Sequence, residues 1–405
     1  MPQILYKKWL ALVIGLSFVG LFAGALVLST SLPKDSDDEV IYTGLAAKIR
    51  AVGLSEYNLR HVSIDPAGKY WKLRYQETGN FLGIMSKGNV DYYNVPFYFN
   101  PPLFPIVLVF SHEVFNRDFA FLLVKRDQEP SFQFAQFYAA FPNILFALLF
   151  LSGVFFLGKT LFSEKAGLLA VLFCLTSPVL LAVTFKVWSD LMAATLIVWS
   201  FYLWHKRTKT RNLILSGILF GLAVLVRTSA LFALPIFFTK QWKSLLIWVA
   251  IVFLCTSPWF YPLLHHYGTI FYFPEAAQAR ESLSWLKYIS RPWYFYLLQL
   301  FYLSPVFVFA VPSVKKNPRL GIWIISFLLP LSLLLYTSKP IGVEDRYLLP
   351  CYPALALLSA KTVLKLSSSW SRRLLAVIIL AICVWSVRIG AALVISRESL
   401  RFVPW

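Results

Sequence analysis

Long apolar runs, following one another along most of the chain, constrain its fold more than any other feature. The first extends from Trp9 to Ser29. A run of about 21 residues crosses a hydrocarbon core of roughly 30 Å as one helix. Inside such a core each backbone N–H and C=O must find a partner within the protein, and a helix supplies one to almost every residue. The sequence therefore predicts an all-α polytopic membrane protein.

Composition agrees, with 58% hydrophobic and 14% charged residues in 405. The formal charge of +19 raises the question of nucleic acid. That function needs the basic residues on one face of a soluble module, whereas here they punctuate the apolar runs, so no nucleic-acid partner is expected. Cys174, Cys255, Cys351 and Cys383 stand in or beside apolar segments at irregular spacing. This is neither a disulfide framework nor a CxxC metal site, and they read as packing residues. The first run follows Lys7 and Lys8 but is longer than the apolar part of a signal peptide, so it reads as a retained anchor.

Charge assigns the topology. With a cytoplasmic start, further spans are expected at Phe134–Gly158, Ala166–Phe185, Trp188–Trp204, a short pair Asn212–Val226 and Ser229–Thr239, then Ser244–Leu264, Trp293–Pro312, Leu320–Tyr336, Tyr347–Ala360 and Leu374–Leu393. That makes about 11 transmembrane helices. The basic connectors "HKRTKTR", "KQWK", "KKNPR" and "WSRR" then share the cytoplasmic side, as the positive-inside rule requires. The turn "FKVWSD", the segment from His265 to Arg291 and "SKPIGVEDR" face outward. One apolar segment, Asn100 to Phe115, is too short for a span, and counting it would place "HKRTKTR" outside. It reads as a juxtamembrane or re-entrant helix within a large first extracytoplasmic loop, residues 30–133.

That loop opens with a cluster of acids in an acid-poor chain: Asp35, Asp37, Asp38 and Glu39. "SDDE" fits a capping box, in which Ser36 caps a helix start and Glu39 reaches back. A helix from about Asp37 to Val52 would end at Gly53, with its acids at the positive end of the dipole. Capping accounts for Ser36 and Glu39 but not for Asp35, Asp37 and Asp38 together. Asp38, Tyr42 and Ala46 recur at intervals of four and share one helix face.

The pattern "D-E-x-x-Y-x-x-x-A" after a first span resembles that of GT-C membrane glycosyltransferases, in the branch of protein O-mannosyltransferases and the lipid A aminoarabinose transferase. "NPPLFPIVL", "SPVLLAVTFKVWSDLMAATLIVW", "GILFGLAVLVRTSALFALPIFF", "SPWFYPLLHHYGTIFYFP" and "DRYLLPCYPALALL" are similar to further motifs of the family, in the family's order. The residue before the two prolines, often His in the family, is Asn100 here.

The resemblance implies a GT-C-like fold and transfer of a sugar from a polyprenyl-phosphate carrier to an acceptor hydroxyl on the outer side. The acceptor could be a glycan, a lipid or a protein. It implies a catalytic module in residues 1–264, including the loop, and C-terminal helices in residues 265–405 that complete a groove for the lipid donor. Membrane lipids are partners, and the setting is a bacterial inner membrane. Asp38 matches the catalytic acid and would act as general base, with Asp37 the other candidate. Asp190, with Glu39, would position the acceptor or a metal. Arg227, Arg346 and Lys186 are the cations available to the carrier phosphate, although Arg at a span end also serves as an interface anchor. A divalent cation is compatible with the acids but not required, and His265 and His266 lack ligand spacing with a partner. Trp188 and Tyr347 read as interfacial aromatics. A lipid or oligosaccharide translocase is the alternative, and a non-catalytic scaffold on the same fold a third reading.

Overall fold

The computed structural model describes residues 100–115, 132–267, 289–290, 292–333, 336–337, 345–366 and 369–395, with Gly20 and a few positions from Tyr42 to Tyr57. Asp35, Asp37, Asp38, Glu39 and most of the first span lie outside the described residues. Helices with both ends described are numbered α1 (Leu103–Phe115), α2 (Phe132–Leu161), α3 (Glu164–Leu175), α4 (Pro178–Thr184), α5 (Asp190–His205), α6 (Thr210–Val226) and α7 (Trp242–Tyr267). They continue as α8 (Phe295–Leu303), α9 (Val311–Val314), α10 (Pro318–Leu333), α11 (Tyr352–Lys365) and α12 (Ser369–Ile395). Among the described residues, 3-10 segments join them at Thr228–Phe237, Pro305–Ala310 and Asp345–Cys351. The described strands, Ile289–Ser290 and Tyr336–Thr337, pair antiparallel.

This is an all-α integral membrane protein. Among the described residues three helices are long and apolar enough to cross a membrane, or five if each of two bent pairs is one span. Both bends fall at Ser-Pro. Proline lacks the N–H that would continue the helix and drives the residue before it toward extended backbone. Ser177 takes φ −70°, ψ 127° and α4 turns 68° from α3. Ser304 precedes Pro305, where the chain bends 108°. The two breaks meet in the interior, Ser304 Oγ donating to Ser177 Oγ at 3.4 Å, both residues buried. Where continuous spans are expected, Ala166–Phe185 and Trp293–Pro312, the chain forms bent helix pairs. The short span expected at Ser229–Thr239 is the 3-10 helix Thr228–Phe237, which at roughly 2 Å per residue reaches further than an α-helix of equal length.

Direction follows from side-chain contacts. Thr195 Oγ1 donates to Phe146 O at 3.0 Å and Trp199 Nε1 to Leu149 O at 2.8 Å, so α5 and α2 run the same way. Their C-termini, and the basic connector after His205, lie at one end of the bundle. The N-terminus of α5 lies at the other. One buried cluster joins residues from both sides of position 264, with Phe201 of α5 against Trp323 of α10 at 5.1 Å between ring centroids.

A second, smaller cluster builds the end carrying Asp190. Tyr42, Leu45, Ala46, Ile49 and Arg50 are helical, and Gly53, at φ +75°, donates its N–H to Ile49 O at 2.8 Å. This is the left-handed C-terminal cap expected of that glycine. Tyr42 and Ala46 pack with Phe104 and Leu108 of α1, Met192 and Ala193 of α5, and Val226. Arg50 ties the same stretch to α1 through Glu113, at 2.7 Å, and His112, at 3.2 Å. The segment expected to be helical after Asn100 forms α1 from Leu103, and the residue before its prolines is held by Tyr57, whose hydroxyl donates to Asn100 O at 2.8 Å. All four cysteines are free thiols, and three are buried.

Candidate active site

Three chain ends converge beside this cluster: the N-terminus of α5, the C-terminus of α6 and the 3-10 turn leading into α11. Asp190 is the first residue of α5, where a carboxylate meets the positive end of the helix dipole. Arg227 follows α6 directly, and Arg346 lies in the turn Asp345–Cys351. Arg227 Nη1 is 2.6 Å from Asp190 Oδ1 and Arg346 Nε is 3.6 Å from Asp190 Oδ2. Asp190 and Arg346 are 2% and 3% exposed, while the Arg227 side chain keeps 21% of its surface open. Two guanidinium groups therefore share one buried carboxylate, and one of them also reaches the surface.

Aromatic rings floor both cations. Arg346 lies 4.2 Å above the Trp188 ring and 5.2 Å from that of Tyr347, and Arg227 lies 4.7 Å from Tyr347. Guanidinium over a ring face is held by the ring quadrupole, worth about 2 kcal/mol when desolvated. Trp188, expected at a membrane interface, is instead buried beneath Arg346. Lys186 approaches the same indole at 5.6 Å. The structure thus assembles Asp190, Arg227, Arg346 and Lys186 from segments far apart in sequence. Asp37, Asp38 and Glu39, outside the described residues, precede a helical stretch that touches the group: Tyr42 OH and Ser189 Oγ are 2.7 Å apart, next to Asp190.

Asn143, which the sequence reading passed over, fixes the turn that carries half of these residues. Its Nδ2 donates to Lys186 O at 2.6 Å, Trp188 O at 2.8 Å and Val183 O at 3.3 Å. The carbonyls between α4 and α5 have no helical partner there, and a buried amide on α2 supplies one. The signal was present as a lone amide in the apolar run "FPNILFALLF". Among the described residues no group of three or more His, Cys, Asp or Glu side chains comes together. Both Asp190 oxygens face guanidinium nitrogens, so this carboxylate serves the two arginines.

Comparison with solved structures covers nearly the whole chain. ArnT from Cupriavidus metallidurans bound to undecaprenyl phosphate superposes with a TM-score of 0.60 at 17% identity, over 98% of this chain and 67% of that one. The chain therefore shares the fold of this membrane glycosyltransferase. The archaeal oligosaccharyltransferase AglB from Archaeoglobus fulgidus, in complex with an inhibitory peptide and a dolichol-phosphate, is similar at a TM-score of 0.56 and 11% identity, over 95% of this chain and 56% of that one. Residues 132–261, which contain Asn143, Asp190 and Arg227, match the family model of dolichyl-phosphate-mannose-protein mannosyltransferases. No curated protein matches the sequence.

Proposed function

We propose that this protein is a GT-C glycosyltransferase that moves a sugar from a polyprenyl-phosphate carrier to an acceptor hydroxyl on the extracytoplasmic side of the membrane. The observation that carries the reading is Arg227, a cation anchored on buried Asp190 and stacked on Tyr347, yet still open to the surface. Support comes from the fold, since ArnT was solved with undecaprenyl phosphate and AglB with a dolichol-phosphate. Residues 1–264 would carry the catalytic module and residues 265–405 would complete the donor groove, contributing Arg346.

The chemistry matches the charges. A sugar phosphodiester carries one negative charge, and cleavage of the sugar C–O bond leaves a monoester with close to two near neutral pH. Cations placed where that charge develops lower the barrier. Arg227 and Arg346 do this, with Asp190 holding them in place and Lys186 as a third cation at the rim. The acceptor oxygen attacks the anomeric carbon from the opposite face, inverting it, while Asp38 takes the acceptor proton. Tyr42 supports that role, because it lies one helical turn beyond Asp38 in sequence and has its hydroxyl at Ser189.

Binding of the carrier tests this directly. Undecaprenyl phosphate added to the purified protein should raise its thermal midpoint. Arg227→Ala should remove most of that shift, since a charge-assisted contact contributes roughly 1.5–3 kcal/mol. Arg211→Ala, in the basic connector, should leave the shift intact. Equal responses from the two variants would reduce Arg227 to an interface anchor.

Sidedness has its own test. Single cysteines at Gly68, Thr210 and Ser338, in a background without native cysteine, should react with an impermeant thiol reagent in intact cells at the first and third positions only. Labelling at 210 would invert the orientation and place Asp190 on the cytoplasmic side.

The translocase reading gains one feature from the structure, the paired breaks at Ser177 and Ser304, since discontinuous helices are common in transporters. Those breaks hold hydroxyl groups, whereas the charged residues gather at the helix ends near Asp190. Carrier-dependent sugar transfer by purified protein in detergent, where no membrane remains to be crossed, discriminates between the two.

A further inference from the structure

A groove of about 1090 Å³ lies between α3, the end of α11 and α12, at the end of the bundle remote from Asp190. Its lining is apolar, with Leu169 and Leu172 on one side and Leu380 and Val384 on another. Ile379 and Cys383 form a buried floor, while Leu380 and Val384 are 65% and 62% exposed. The groove closes where α12 meets α4. A Cβ at Gly390 would come within 2.8 Å of Leu181 Cδ1 and 3.2 Å of Pro178 Cα, so glycine lets the two helices approach closely here. One turn below, the lining begins at Val387, and Thr176 Oγ1 reaches Cys383 Sγ at 3.6 Å.

The other end of the groove is polar and cationic. Ser163 and Lys165 line it at the start of α3 and are exposed, and Lys365 stands exposed between the lining residues Leu364 and Leu366. Glu164, the acid beside them, is paired with Lys159, which leaves the mouth positively charged. From Lys165 to Thr176 the helix rises roughly 16 Å at 1.5 Å per residue. That is about one leaflet of a roughly 30 Å hydrocarbon core.

We propose that this groove binds an anionic phospholipid of the leaflet at the basic end of the bundle. An acyl chain lies along Leu169, Leu172 and Leu380, and the headgroup phosphate meets Lys165, Ser163 and Lys365. Charge names the occupant: a basic pocket between spans, one leaflet deep, selects an anionic headgroup over a zwitterionic one. The site is independent of the proposed transfer reaction, whose residues lie at the opposite end.

Native mass spectrometry of the purified full-length protein, titrated with phosphatidylglycerol or phosphatidylcholine, tests the assignment. Phosphatidylglycerol should bind at roughly fivefold lower concentration or better, the factor that about 1 kcal/mol per lysine near an anionic lipid implies. The double variant Lys165→Gln, Lys365→Gln should bind the two lipids equally. Val384→Trp, which fills the groove from an exposed position, should lose both. Equal binding by the unaltered protein, a preference that survives the double lysine variant, or full binding by Val384→Trp would overturn the proposal. So would displacement of phosphatidylglycerol from these lysines by undecaprenyl phosphate, which would make the groove a carrier site.

Discussion

Asp190→Ala is expected to destabilise the purified protein by about 3–5 kcal/mol, the cost of removing one partner from a buried ion pair. The size follows from the neighbours. Arg346 is 3% exposed and Arg227 21%, so loss of the carboxylate removes the counter-charge they share where little water can replace it. A companion variant separates charge from packing. Adding Arg346→Met to Asp190→Ala removes the more deeply buried cation and replaces it with an apolar chain, which often costs little or even stabilises. The double variant should therefore recover part of the lost thermal midpoint while binding undecaprenyl phosphate more weakly than the unaltered protein. An unchanged midpoint in Asp190→Ala would mean that the carboxylate does not hold this end of the bundle together.

The parts of the structure legible in the sequence are those fixed by local chemistry. Gly53 ends its helix because the required positive φ suits glycine, and the apolar run after Asn100 forms a short helix of its own, Leu103–Phe115. The breaks at Ser177 and Ser304 each precede a proline, yet Ser257-Pro258 sits inside the unbroken α7, so the dipeptide alone does not announce a break. A reading that counts only apolar length runs through them. What the sequence cannot order is the meeting of distant segments. Arg227 and Arg346 each read as an anchor at a span end, and nothing near either residue announces that both face Asp190. Nor does "FPNILF" show that its amide will hold a turn some forty residues later. These roles depend on α2 and α5 running in the same direction, which the packing of two apolar helices settles. The buried position of Trp188 has the same origin. Tryptophan at a span end favours the interface in isolation, but beneath Arg346 it offers a ring face to a buried cation.

Asp38→Asn is expected to reduce sugar transfer by roughly 10²-fold or more, because an amide cannot accept the acceptor hydroxyl's proton. The change removes one charge with little change of shape, and the dipole interaction lost at a helix start is only about 0.3–1 kcal/mol. Membrane abundance and undecaprenyl phosphate binding should therefore stay close to those of the unaltered protein, the latter being the role proposed for Arg227 and Arg346. The capping account of "SDDE" predicts the reverse order, with Ser36→Ala and Glu39→Ala destabilising the protein and Asp38→Asn nearly silent. Abundance and transfer rate measured for all three variants distinguish a base from a cap. The described part of the same stretch favours the base. Tyr42, one turn further along the face, is buried with its hydroxyl 2.7 Å from Ser189 Oγ, immediately before the carboxylate that holds both arginines. If those arginines hold the carrier phosphate, as proposed, a base is needed beside them, since the hydroxyl it deprotonates attacks the carbon bonded to that phosphate. Near-normal transfer by a well-expressed Asp38→Asn protein would remove Asp38 from the mechanism, and loss of transfer in Asp37→Asn instead would move the base by one residue.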